Sequence, residues 1–240
     1  MIYVFSLVLG LVIGSFNNLV VTRLIRNESI VFPNSHCDSC GRKLRYIDMI
    51  PVISFINLKA RCRYCNEKIP VDNLINELLT GFIFIISTDH IIYNPIFLFN
   101  LLVVLILIIV SEIDLKTMDI YMRFIYIIGI LGFVYRIMHI GFDMYFIKFI
   151  IIFSLSYLLI YYISKKSIGD GDLFLYLSLF LFVDNNYLIK FVLLSIWIGA
   201  IFSIFVAIKN KTMKLKIPFT PFITIAFFLI QYGIINWSFI

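Results

Sequence analysis

The 240-residue sequence is poor in charge. Asp, Glu, Lys and Arg together make up 14% of it, while 62% is hydrophobic. An ordinary soluble domain is about a quarter charged and about half apolar, so this scarcity excludes one. The chain also lacks the apolar–polar alternation of strands, which argues against an outer-membrane barrel. There is no convincing internal repeat, no low-complexity linker and no Gly-rich nucleotide fingerprint. The first apolar segment has no basic residues before it and no small-residue cleavage site after it. It reads as a retained first helix rather than a signal peptide.

What is there comes in long apolar runs, such as "NPIFLFNLLVVLILIIV" and "MYFIKFIIIFSLSYLLIYYI". About 20 apolar residues span a hydrocarbon core as a helix, and helices satisfy their own backbone inside it. Eight spans are expected, near residues 2–22, 74–91, 96–113, 119–138, 144–163, 172–184, 187–208 and 218–238. The sixth is short. Its clean apolar stretch, 173–183, covers about 16 Å as a helix against a core of about 30 Å. The fold class is therefore all-α: a polytopic membrane protein of about eight transmembrane helices with a small cytoplasmic four-cysteine loop. The expected divisions are a first transmembrane helix (1–25), the loop (26–73) and a larger membrane domain (74–240).

Basic residues orient the chain. Arg23 to Lys68 includes nine of them, and Lys116, Arg123, Lys165, Lys166, Lys209, Lys211, Lys214 and Lys216 fall in later loops on the same side. Only Arg136, Lys148 and Lys190 lie near the other side. The positive-inside rule puts the basic side in the cytoplasm and the N-terminus outside. The formal charge of +6 then reflects topology, and no nucleic-acid partner is needed to explain it.

All four cysteines lie in the loop, as two C-x2-C pairs: Cys37 and Cys40, then Cys62 and Cys65. Each pair forms a knuckle presenting two thiolates, and two knuckles close a tetrahedral zinc shell. Gly41 and Asn66, which follow the pairs, tolerate the positive φ such turns require. Disulfides are the alternative, disfavoured in a reducing cytoplasm, and a redox C-x-x-C is another. His36 reads as an ordinary loop histidine, and a closed four-thiolate site shapes the loop without doing chemistry.

Acids near hydrocarbon are costly and usually functional. "SKKSIGDGDLFLYLSLFLFV" sets Asp170 and Asp172 among Gly169 and Gly171 at the start of the sixth span. The bland reading is a polar turn, with the glycines supplying unusual dihedrals and an aspartate capping the helix. "VLILIIVSEIDLKTMDIYM" puts Asp114 at the cytoplasmic end of the third span. Two carboxylates at one membrane depth can share a proton, one acting as base toward water. Glu112 and Asp119 are rivals. Glu112 points to another helix face, and Asp119 is placed to cap the next span. Spacing alone does not choose among these acids.

Five ordered motifs resemble those of bacterial type IV prepilin peptidases, a family of GxGD membrane aspartic proteases. They are "GLVIGSFNNLVVTRL", the four-cysteine loop, "NELLTG", "IDLKTMDI" and "GDGD". The resemblance implies a peptidase of the bacterial cytoplasmic (inner) membrane with its active site on the cytoplasmic side. It would cleave the basic leader from type IV prepilin or pseudopilin precursors, with Asp114 and Asp172 as the catalytic pair and Gly169 and Gly171 in support. It further implies zinc on Cys37, Cys40, Cys62 and Cys65, and N-methylation of the new N-terminus using S-adenosylmethionine. The chain departs from the family pattern at Tyr121 and Met122, where Pro-Asp is usual, at Phe174, where Lys is usual, and at "VDNL". The residues leave open a non-enzymatic membrane assembly or transport protein whose zinc loop docks a partner. A nucleic-acid-binding ribbon is a third reading.

Overall fold

The structure, a computed structural model, describes residues 1–164, 169–210 and 216–233. No strand occurs among them, and the chain divides into two compact units, Met1–Phe97 and Leu98–Ile240.

The first unit is a helix pair with a loop between its ends: α1 (Ile2–Ile25), a 3-10 turn (Tyr46–Met49), α2 (Ile53–Asn57) and α3 (Val71–Tyr93). Helices in lipid gain little from burying grease against grease, so small residues and polar contacts bring them together. Here Gly10 and Gly14 of α1 face α3. A Cβ at Gly10 would lie 2.8 Å from the Gly81 Cα, and one at Gly14 2.8 Å from the Glu77 Cα. Polar contacts line the same seam. Ser6 Oγ lies 2.6 Å from Thr88 Oγ1, Asn76 Nδ2 donates to Asn18 Oδ1 at 2.8 Å, and Asn18 Nδ2 donates to the Asn73 carbonyl at 2.9 Å. Two motifs far apart in sequence, "GSFNN" and "NELLTG", thus meet face to face.

The second unit follows with α4 (Phe97–Thr117), α5 (Met122–His139), α6 (Met144–Ile163), α7 (Asp170–Phe180), α8 (Leu188–Asn210) and α9 (Thr220–Gln231). The α4 helix is apolar on all faces and mostly buried; Val103, Leu107 and Ile113 have no exposure. The α6 helix is the opposite case, with Ile152, Leu155, Leu159 and Ile163 more than 60% exposed. An apolar helix with an open face suits lipid contact. Phe149 and Phe153 on its inner side pack edge-on against Phe180 of α7.

Each expected span corresponds to a helix. Among the described residues six are long and apolar enough to cross a membrane: α1, α3, α4, α5, α6 and α8, the last counted with its lead-in turn. The chain is a multi-pass membrane protein. The α7 and α9 helices are shorter, at 11 and 12 residues. Eleven residues rise about 16 Å, half of a core of about 30 Å, so α7 does not cross by itself. Lys165, Lys166, Lys211, Lys214 and the end of the eighth span lie outside the described residues.

Candidate active site and metal centre

In the first unit the two cysteine knuckles are nearly superimposable in hydrogen bonding. The Gly41 N–H donates to the Cys37 carbonyl at 2.8 Å, and the Asn66 N–H to the Cys62 carbonyl at 3.0 Å. The Cys37 N–H reaches Arg42, and the Cys62 N–H reaches Glu67, at 2.9 and 2.8 Å. Gly41 and Asn66 hold φ of 69° and 58°, the left-handed turn expected of them.

The knuckles bring the Sγ atoms of Cys37, Cys40, Cys62 and Cys65 within 4.8 Å of one another. Zn–S bonds of about 2.3 Å in a tetrahedron put sulfurs about 3.8 Å apart, and Cys37 and Cys65 stand 3.8 Å apart. The donor set, softness and spacing are compatible with zinc. Backbone N–H groups of Cys65 and Tyr64 at the Cys62 sulfur bring its thiol down to about 7, favouring the thiolate a metal binds. His36 stands outside the cluster, its Nδ1 3.0 Å from the Asn34 carbonyl.

The loop is braced around the knuckles. Asp48, its side chain 1% exposed, takes a forked pair of hydrogen bonds from Arg63. That guanidinium holds the carboxyl below the usual range. Glu77 of α3 accepts from the Val52 N–H at 2.7 Å, at a residue with φ of 62°. Arg23, buried in the last turn of α1, donates to the Ser29, Ile30 and Pro33 carbonyls.

In the second unit Asp114, in the last turn of α4, is 5% exposed. Its Oδ2 accepts from the Thr220 N–H, the first residue of α9, at 3.0 Å. A helix N-terminus offers free N–H groups and the positive end of a dipole, so it holds a carboxylate well. Thr220 was not singled out by sequence reasoning. The signal was Pro221 directly after it, since proline marks the first turn of a helix.

Asp172, in the first turn of α7, is 7% exposed and lies within charge–charge range of Asp114. By the same measure Asp170 is within charge range of Asp172 and Asp119 of Asp114, so burial is what separates the pair from those two. Asp170 is exposed and accepts from the adjacent Gly171 N–H. Glu112 pairs with Lys116 one turn on. Asp119 is exposed, and the expectation that it caps the next span is corrected: α5 starts after Tyr121, with no side-chain cap.

A second correction concerns the glycines. Gly169 has φ of −67°, and Gly171 is helical without positive φ, so neither supplies an unusual dihedral. What they supply is space. A Cβ at Gly169 would lie 3.1 Å from Asp172 Oδ2, and one at Gly171 would lie 3.1 Å from the Ile120 Cβ. The "GDGD" turn thereby seats directly on "IDLKTMDI". Tyr157 of α6 adds a tie, its hydroxyl donating to the Gly169 carbonyl at 2.7 Å.

Comparison with known proteins agrees with this division. Residues 8–91 match the family described as Bacterial Peptidase A24 N-terminal domain, and residues 101–204 match the Type IV leader peptidase family. The "Prepilin leader peptidase/N-methyltransferase" of Vibrio cholerae is 29% identical over 96% of both chains. The Myxococcus xanthus protein of that name is 47% identical over 34% of this chain and 24% of its own length. The Escherichia coli "Type 4 prepilin-like proteins leader peptide-processing enzyme" is 35% identical over 33% of this chain and 36% of its own. No solved structure matches.

Proposed function

We propose that this chain, which belongs to the type IV leader peptidase family, is a membrane aspartic endopeptidase that removes the basic leader from type IV prepilin or pseudopilin precursors. The observation that carries the reading is a pair of buried carboxylates, Asp114 and Asp172, on different helices and within charge range of each other. Such a pair shares a proton more readily than it ionises twice. One aspartate takes a proton from water as the water oxygen adds to the scissile carbonyl carbon. The other gives its proton to the departing amine nitrogen as the C–N bond breaks. The Thr220 N–H at the α9 N-terminus donates to Asp114 Oδ2 and so fixes the orientation of that carboxyl, and either member of the pair can serve as the base.

The precursor's apolar helix enters the bilayer with its leader on the cytoplasmic face, where basic loop residues set the orientation and the chain's own N-terminus is outside. In this reading the first helix (1–25) and the peptidase region (74–240) frame the loop of 26–73. Cys37, Cys40, Cys62 and Cys65 would hold zinc, which would close the two knuckles and fix the fold of the loop. The relatives' printed names support methylation of the new N-terminus as a second step, with S-adenosylmethionine as donor.

The test is to incubate the purified protein with a prepilin in lipid and follow product mass. Loss of the basic leader, yielding a single mature N-terminus, is expected. An intact precursor, with a folded zinc-loaded protein present, would refute the peptidase reading.

A further inference from the structure

Among the described residues Arg136 is the largest fully buried side chain, with no exposure at all. It sits in the last turn of α5, where a cation in a membrane protein is expensive and calls for a reason. Its partners supply one. Nη1 donates to the Phe180 and Val183 carbonyls, each at 3.1 Å, and Nη2 donates to Asn185 Oδ1 at 2.6 Å. The guanidinium carbon lies 3.3 Å from the centre of the Phe146 ring. Asn185 in turn donates to Asp143, which caps α6 by accepting from the Phe146 N–H.

The Phe180 carbonyl ends α7, and the Val183 carbonyl lies in the turn just after it. A helix leaves its last carbonyls without partners, and their dipoles gather negative charge there. In a full span those groups reach water or headgroups. The α7 helix stops after 11 residues, and Phe180, Phe182 and Val183 at its end are no more than 1% exposed. The Phe180 carbonyl accepts one backbone bond, from the Val183 N–H at 3.3 Å, and in so buried a place side chains supply the remaining donors. Arg136 takes two carbonyls, and Gln231 of α9 takes the Phe182 carbonyl at 2.8 Å. A planar guanidinium with five donors meets two divergent carbonyls and an amide oxygen at once, which an ammonium does not.

The other end of α7 carries Asp172. We infer that Arg136 is a positioning residue: by clamping the closed carbonyl end of the half-helix α7, it fixes where that helix stands along its axis and so holds Asp172 beside Asp114. The helix is rigid over its about 16 Å, so slippage at the clamp appears undiminished at the aspartate. Misplacement of a reacting group by about 1 Å costs on the order of a hundredfold in rate. The inference rests on the peptidase reading only for its consequence in catalysis. The clamp itself is independent of it.

Two readouts test it, one without activity. A Cβ at Gly171 lies 3.1 Å from the Ile120 Cβ, close to the about 3.8 Å of a disulfide. The pair Ile120→Cys/Gly171→Cys therefore reports the axial position of α7 by its oxidation rate. Arg136→Met should slow that crosslink at least threefold. In the otherwise native protein it should lower kcat for prepilin cleavage at least tenfold, with KM within twofold. Arg136→Lys, which keeps the charge and a single donor head, should fall between. Crosslinking and kcat both within twofold of the parent in folded Arg136→Met overturns the inference, as does a lowered kcat with unchanged crosslinking. Should Arg136→Met not accumulate, Arg136→Lys is judged by the same two limits. If the native protein cuts no prepilin, the peptidase reading fails and the crosslink alone decides whether Arg136 sets α7.

Discussion

Replacing Gly14 by alanine sets two effects of known size against each other. In an exposed helix the change is favourable, since alanine gains about 1 kcal/mol over glycine. At Gly14 the added Cβ would sit 2.8 Å from the Glu77 Cα, 2.9 Å from the Asn76 carbonyl oxygen and 3.1 Å from the Thr80 Cβ. Carbon atoms rest about 3.5–4.0 Å apart, so α1 and α3 must separate by roughly 0.7 Å or more at this level. Two of the three obstacles are backbone and cannot rotate away. Overpacking of this kind costs about 1–3 kcal/mol, and separation also stretches the Asn18–Asn76 bond of 2.8 Å. The net effect is destabilising by up to about 2 kcal/mol. Gly129 of α5 is the control. A Cβ there meets only Ser178 Oγ, at 3.5 Å, so Gly129→Ala should be neutral or stabilising by up to about 1 kcal/mol. Thermal melts by circular dichroism in one detergent give the comparison. Gly14→Ala should melt below the native protein and Gly129→Ala at or above it. Equal stabilisation by both would refute close backbone approach as the reason for glycine at 14.

Cys62→Ser should lower bound zinc, measured by elemental analysis of purified protein, from one equivalent to less than about a tenth, because three thiolates leave the tetrahedral shell open. Asp48 and Arg63 predict a pH effect. The Asp48 carboxyl is held below its ordinary value by Arg63, so the pair's contribution is present above that ordinary value, about 4, and is lost as pH falls through the lowered one. Arg63→Met removes the cation and leaves Asp48 buried, so its carboxyl titrates higher. Acid-induced zinc release should then begin at higher pH than in the native protein, and coincident release curves would contradict the brace.

The legible parts of this molecule were local. Long apolar runs have few alternatives to helix in lipid, so the eight helices could be read from composition. The knuckles could be read because C-x2-C, Gly41 and Asn66 complete a turn within a few residues. The shortness of α7 was visible in "GDGD", where glycine and aspartate interrupt the apolar run. Contacts closed across the chain were not visible. Thr220 reaches Asp114 from 106 residues away, and Arg136 reaches the end of α7 from another helix. Both are set by packing that no local pattern encodes. The glycines of "GDGD" show the same limit. Conformational freedom is the common reason for glycine in a turn, but here the reason is room beside Asp172 and Ile120, which only the packed structure reveals. Asp119 had a capping residue's chemistry, yet the helix began two residues later.

The central claim is that Asp114 and Asp172 are the reacting pair, and cleavage by four single variants tests it most directly. Asp114→Asn, Asp172→Asn, Asp119→Asn and Asp170→Asn keep size and remove one carboxylate each. With equal amounts of folded protein and a prepilin in membranes, the first two should abolish detectable cleavage. The last two, at exposed aspartates, should keep it within a few-fold of native. Cleavage surviving in Asp114→Asn or Asp172→Asn, or lost equally in all four, would contradict the assignment.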